Sequence, residues 1–170
     1  MSDFVSRSQA GQDKWVYETL GPGGFFVDLG CNHPVLINNT YALEQVGWTG
    51  ILVDTDDSCI RQCWTHRTSI ALRADLTQPH EFWPTLPGHM DYLSLDVDES
   101  TLAALRHIPL DRIQFKLATI EHDSYRLGTE PRDAIRAIMH HHGYKIAFAD
   151  VTHEGCAYED WWYHPQFVSL

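Results

Sequence analysis

Basic residues are scarce in this sequence: 12 Lys and Arg stand against 23 Asp and Glu, for a formal charge of −11. Affinity for a phosphate backbone comes largely from Lys and Arg that neutralise phosphates, so this balance argues against nucleic acid as a partner. Long apolar runs are missing as well. None approaches the roughly 20 residues that a membrane-spanning helix needs, which excludes a membrane protein. The stretch Met1–Gln9 has no apolar segment of the kind a secretory signal carries, and a cytoplasmic address is the expectation. Cysteine is sparse: Cys31, Cys59, Cys63 and Cys156 are too scattered for a disulfide framework, and free thiols are expected. There is no repeat, low-complexity tract or Pro/Ser-rich linker either, so the 170 residues are read as one domain, 1–170.

What recurs instead is an alternation of short apolar runs with helix-like segments, the signature of an α/β fold. Ser8–Leu20 reads as a helix stopped by Gly21-Pro22-Gly23-Gly24, giving an N-terminal helical cap over 1–22 before a core over 23–170. Phe25–Gly30, Gly50–Asp54, Ser69–Asp75, Met90–Val97 and Phe115–Glu121 read as strands. Between them lie helices at Asn39–Gly47, after Asp56 or Asp57, and at Glu99–His107. A last helix starts at Pro131 and ends at Gly143, and Tyr144–Val151 and Tyr158–Tyr163 complete seven strands, the late pair antiparallel. Strands separated by helices imply a mainly parallel sheet with right-handed crossovers.

In an open α/β sheet, ligands bind beyond the carboxyl ends of the strands, where strand order reverses. The acids sit there. Asp28 and Gly30 end the first strand, Asp54 the second and Asp75 the third; Asp96 and Asp98 follow the fourth, and Glu121, His122 and Asp123 the fifth. A carboxylate at the position of Asp54 suits ribose hydroxyls, and one at Asp75 can accept from an exocyclic amine. The first loop has a single glycine followed by Cys31-Asn32-His33-Pro34, not the G-x-G-x-x-G that seats a pyrophosphate. An NAD-linked oxidoreductase is therefore disfavoured, and a nucleoside without phosphates fits better.

Six segments, in order and spacing, resemble the FkbM family of methyltransferases: Ser8–Asp13, Gly24–Gly30, Asn39–Glu44, Gly47–Ile51, Tyr92–Asp98 and Ile120–His122. The resemblance implies a Rossmann-like class I methyltransferase fold, S-adenosylmethionine as donor and O-methylation of a hydroxyl on a saccharide or related small metabolite. It also implies that Gly30, Cys31 and Asn32 line the methionine end, with Asp54 on the ribose and Asp75 and Leu76 near the adenine. Gln12 and Asp13 would close the site from the N-terminal helix. The family loop carries Asn-Asp-Gly where this chain has Asn32-His33-Pro34, and Glu-Gly where it has Asp98-Glu99, so a binding domain that has lost turnover is the alternative.

Methyl transfer needs alignment first, and a hydroxyl acceptor must also lose a proton. His122 is the candidate base, with Asp96 orienting it or binding the acceptor. Asp96, Asp98, Glu121 and His122 form a candidate set for Mg²⁺ or Mn²⁺. Cys59, Cys63 and His66 share a helical face but lack a fourth zinc ligand. His140-His141-His142 is assigned no ligand role, since three consecutive residues point in different directions. The aromatic ending Glu159–Pro165 suits a sugar platform, core packing or the contact of a homodimer.

Overall fold

The computed structural model describes residues 4–170; Met1, Ser2 and Asp3, the start of the predicted cap, lie outside the described residues. Seven strands form one sheet: β1 (Phe25–Leu29), β2 (Thr49–Asp54), β3 (Ile70–Arg73), β4 (His89–Leu95), β5 (Gln114–Glu121), β6 (Lys145–His153) and β7 (Cys156–Tyr163). Their spatial order is β3-β2-β1-β4-β5-β7-β6, parallel from β3 to β5, with β7 antiparallel to both β5 and β6. The chain winds outward from β1 to β3, then returns to β1's other side with β4. The reversal between β1 and β4 opens a crevice at their carboxyl ends.

The helices are α1 (Gln12–Leu20), α2 (Tyr41–Glu44), α3 (Asp57–His66), α4 (Thr101–Leu105), α5 (Ser124–Leu127) and α6 (Thr129–His141). Several are shorter than expected. Gly11, in a left-handed conformation, opens α1, so Ser8–Ala10 remain loop. The α3 start is as the sequence indicates, with Asp56 accepting from the N–H groups of Ser58 and Cys59. Beyond Asp123 a short helix, α5, appears that no local signal marked; its entry residue has φ 46°.

Alternation along β1 divides the core. Val27 and Leu29 face one layer with Leu93, Leu105, Ile135 and Met139, the side covered by α4 and α6. Phe26 faces the other with Trp15, Val16, Leu52 and Ile60, the side of α1 and α3. Both faces of the sheet are covered, which is why the central strands are apolar nearly throughout. Among the described residues no helix is long and apolar enough to cross a membrane.

Candidate functional site

A cavity of about 720 Å³ opens at the carboxyl ends of β1, β2 and β4, a size suited to a small-molecule ligand. Its floor is the turn after β1. Gly30 has φ 86°, and a Cβ there would lie 1.7 Å from the carbonyl oxygen of Asp96. Only a glycine lets the first loop cross the end of β4 this closely. Asp28, Gly30, Cys31, Asn32, Asp54, Asp75, Leu76, Asp96, Asp98 and Glu121 all line this one cavity. Residues scattered over more than 90 positions are thus gathered because successive parallel strands end at the same edge.

Local hydrogen bonds fix most of them. Asp54 accepts from the N–H of Asn32 at 2.9 Å with one oxygen and from the N–H of Asp56 at 2.9 Å with the other. A carboxylate offers about four lone-pair sites, so both oxygens retain capacity for a ligand's hydroxyls. Asp75 accepts from the N–H and hydroxyl of Thr77, and these bonds hold its carboxyl below the ordinary range. Asp28 is buried under the floor, where it accepts from the Thr40 hydroxyl at 2.6 Å. Burial raises its carboxyl above the usual value, with the Thr40 bond acting against that rise.

At the β4–β5 end, Asp96 and Glu121 both line the cavity. Burial pushes both carboxyls up, and the negative charge of Asp96 drives Glu121 further in the same direction.

The loop after Gly30 is held by Asn38, a helix-cap candidate in the sequence, and by Arg67, which sequence reasoning passed over. Asn38 donates to the carbonyls of Cys31 and His33 and accepts from the N–H groups of Thr40 and Tyr41. Arg67, at the end of α3, donates to Glu44 and to the loop at Pro34, Asn38 and Thr40. The tip of this loop presents Leu36 and Ile37 at the cavity mouth, 59 and 71 % exposed. Ile37 has φ 48°, where a β-branched residue is strained by roughly 1–2 kcal/mol. Ile37→Asn removes little buried surface and tolerates that backbone, so thermal unfolding should show a gain of about 1 kcal/mol, or roughly 2–4 °C. An unchanged or lowered midpoint would show that Ile37 is not strained.

Three predicted site residues lie elsewhere; Asp13 is buried, its carboxylate accepting from the N–H groups of Arg7 and Ser8. Gln12 is buried beneath the cavity's rim, donating to the Tyr158 hydroxyl at 2.7 Å and accepting from the N–H of Ala10 at 2.8 Å; Gln9 lines the cavity in its stead. His122 turns to the opposite face from Glu121. Its Nδ1 accepts from the N–H of Ser124, and its Nε2 lies 3.6 Å from Asp160 and 3.7 Å from Asp150, carboxylates that Arg136 and Arg132 also engage. Held there, it is no base for a ligand in the cavity, nor can it join Asp96, Asp98 and Glu121 around a cation. The acids that do converge are Asp98 and Glu121 of the cavity lining and, beside them, Asp123. Trp161 and Trp162 are buried, Trp15 stacks on Trp161, and the late aromatics serve packing, not a platform for sugar.

No family model matches the sequence, and no curated protein matches it. The fold, in contrast, is shared with many solved structures. An rRNA methylase from Streptococcus thermophilus superposes with a TM-score of 0.63 at 11 % identity, over 94 % of this chain and 98 % of that one. A TehB-like SAM-dependent methyltransferase from Corynebacterium glutamicum gives 0.62 at 15 % identity, over 91 and 86 %. Magnesium protoporphyrin IX methyltransferase from Synechocystis with bound S-adenosylmethionine gives 0.59 at 16 %, over 91 and 77 %. The chain has the Rossmann-like fold of class I S-adenosylmethionine-dependent methyltransferases, with a mostly parallel seven-stranded sheet that ends in an antiparallel hairpin.

These likenesses correct two expectations, the exclusion of nucleic acid drawn from composition and the saccharide acceptor implied by the family resemblance. The same fold at nearly the same length belongs to an rRNA methylase, so an acidic net charge does not exclude nucleic acid, and the preference for a saccharide loses its ground. Net charge sums the whole surface, whereas an acceptor meets only the face around one cavity mouth.

Proposed function

We propose that this protein is an S-adenosylmethionine-dependent methyltransferase of the FkbM kind that transfers a methyl group to a hydroxyl. One observation carries the reading: acids from the ends of successive strands converge on a single cavity whose floor is a one-glycine turn. The donor set suits a nucleoside with a cationic tail. Asp54 offers lone pairs to ribose hydroxyls, Asp75 and Leu76 stand where an adenine edge would be met, and Gly30 admits the ligand close to the backbone. The six sequence segments that resemble the FkbM family support the narrower placement.

The donor, when bound, supplies a methyl on a positively charged sulfur. The protein's own task is alignment and proton removal. As the acceptor oxygen bonds to the methyl carbon and the carbon–sulfur bond breaks, the sulfur becomes neutral and the hydroxyl proton passes to a carboxylate. Asp96 is the group at the cavity placed to accept it, in the role that His122 cannot fill from the far face of β5.

Calorimetric titration with S-adenosylhomocysteine tests the donor site. Saturable binding is expected, weakened by about tenfold or more in Asp54→Asn, a loss near 1.4 kcal/mol, since the amide accepts one ribose hydroxyl where the carboxylate accepts two. NAD should not bind. Absence of saturable binding at millimolar concentration would end the methyltransferase reading.

A further inference from the structure

The outer end of the cavity carries far more negative charge than its neighbours neutralise. Asp98, Glu99 and Asp123 surround the Arg126 guanidinium, with Asp98 at 3.4 Å and Glu99 at 3.6 Å. Asp96 and Glu121 stand beside them without a basic partner. Among the described residues Arg126 alone pairs with any member of this group.

Within the cluster, Glu121 is the anomaly. Its side chain is more than nine-tenths buried, it lines the cavity, and its Oε2 has no hydrogen-bonding partner. A buried carboxylate oxygen left so is destabilising unless something positive or protic meets it. One carboxylate oxygen from each of Asp98, Glu121 and Asp123 lies within 4.8 Å of the others, so a single ion could touch all three. Arg126 does not fill that role, because it is directed to Asp123, Asp98 and Glu99 and makes no contact with Glu121. An all-oxygen set without imidazole or thiolate suits a hard divalent ion.

We propose that Asp98, Glu121 and Asp123 bind a divalent cation of the Mg²⁺ or Mn²⁺ class at the mouth of the cavity, where it holds the acceptor oxygen next to Asp96. The ligand set differs from the one the sequence suggested: Asp123 replaces His122, and Asp96 keeps its place as the neighbouring proton acceptor. The cation's task with the acceptor rests on the methyl-transfer reading; the binding site itself does not. Held between three carboxylates and an incoming hydroxyl, the ion would make that hydroxyl easier to deprotonate and fix its oxygen for in-line attack.

Mn²⁺ titration of the full chain, followed by loss of the free-ion paramagnetic resonance signal and run without any donor, reads the site directly. One Mn²⁺ per chain is expected, displaced by Mg²⁺. Glu121→Gln and Asp98→Asn should each weaken binding by roughly tenfold or more, the least that even indirect supports of a metal ligand cost. Asp98 is exposed, so its variant tests the site without endangering the fold, and Asp111→Asn, at an exposed residue paired with His142, should bind as the wild type does. No stoichiometric Mn²⁺ at millimolar concentration, or binding unaltered in both variants, overturns the proposal. S-adenosylhomocysteine titration of the same samples separates the two readings. Mn²⁺ binding without it upholds the cation site and removes the methyl-transfer role; nucleoside binding without Mn²⁺ removes the cation site alone.

Discussion

Gly30→Ala is expected to yield little or no folded protein. The added methyl would stand 1.7 Å from the carbonyl oxygen of Asp96 and 2.7 Å from its carbon, and the φ of 86° is one that alanine rarely adopts. Neither side can retreat. Leu29, just before the glycine, accepts from the N–H of Asp96 at 2.9 Å, and Gly30 itself donates to the Val53 carbonyl at 2.8 Å. The turn is therefore pinned to both neighbouring strands, and moving it breaks ladder bonds at the sheet's centre. A cost above about 4–5 kcal/mol follows, comparable with the whole stability of many domains. Soluble yield and circular dichroism on heating would measure it. A well-folded variant with the wild-type midpoint would mean that the loop has room which the close approach denies. Such a variant would also be the occasion to measure nucleoside binding, since Gly30 lines the cavity.

The second large effect is at Arg67→Met. This guanidinium is wholly buried and is paired at 2.7 Å with Glu44, itself 3 % exposed, across the layer between α3 and α2. It also binds the Pro34 carbonyl, Asn38 and Thr40, and lies 5.9 and 5.7 Å from the ring centres of Phe26 and Tyr41. Burial works against the Glu44 carboxylate, yet bonds from Ser69 and Arg67 hold it below its ordinary range, so it remains charged. Removing the arginine leaves that charge buried with no counter-ion. The expected loss is about 3–5 kcal/mol, or roughly 6–20 °C in midpoint for a chain of this size. Adding Glu44→Gln should recover part of the loss and not all, because Pro34, Asn38 and Thr40 still lack their donor. Full recovery, or a shift of under 1 kcal/mol in the single variant, would remove Arg67 as the clamp of the cavity loop.

How much of this was legible beforehand differs by residue. The carboxylates at strand ends were, because an apolar run that stops on Asp or Glu marks the point where a buried strand meets solvent. Their meeting in one cavity follows once the strands are taken as parallel neighbours. The direction of His122 was also open to inference and was missed: consecutive residues of a strand face opposite sides, so placing Glu121 in the cavity turns His122 away from it. The true length of the helices was less accessible. Gly11 and Gly128 carry positive φ and cut off α1 and α6 where periodicity alone would extend or shift them.

Arg67 was beyond reach for another reason. In sequence it closes a polar helix and looks like an ordinary solvated cation. Its burial depends on Glu44, 23 positions earlier, arriving at the same spot through α2 and β2. Asn38 likewise reads as a loop residue or helix cap, and its role as a brace for Cys31 and His33 exists only after the loop folds back on itself.

By itself, then, the sequence determined the α/β alternation, the two-sided burial of the sheet and the positions of the acids, since these depend on local periodicity and on where apolar runs stop. The tertiary structure alone decided that β7 lies between β5 and β6, that His122 faces Asp150 and Asp160, and that Asp123 joins Asp98 and Glu121. Those facts depend on pairings between distant segments, whose energies come from surfaces and charges that meet only after the chain has closed.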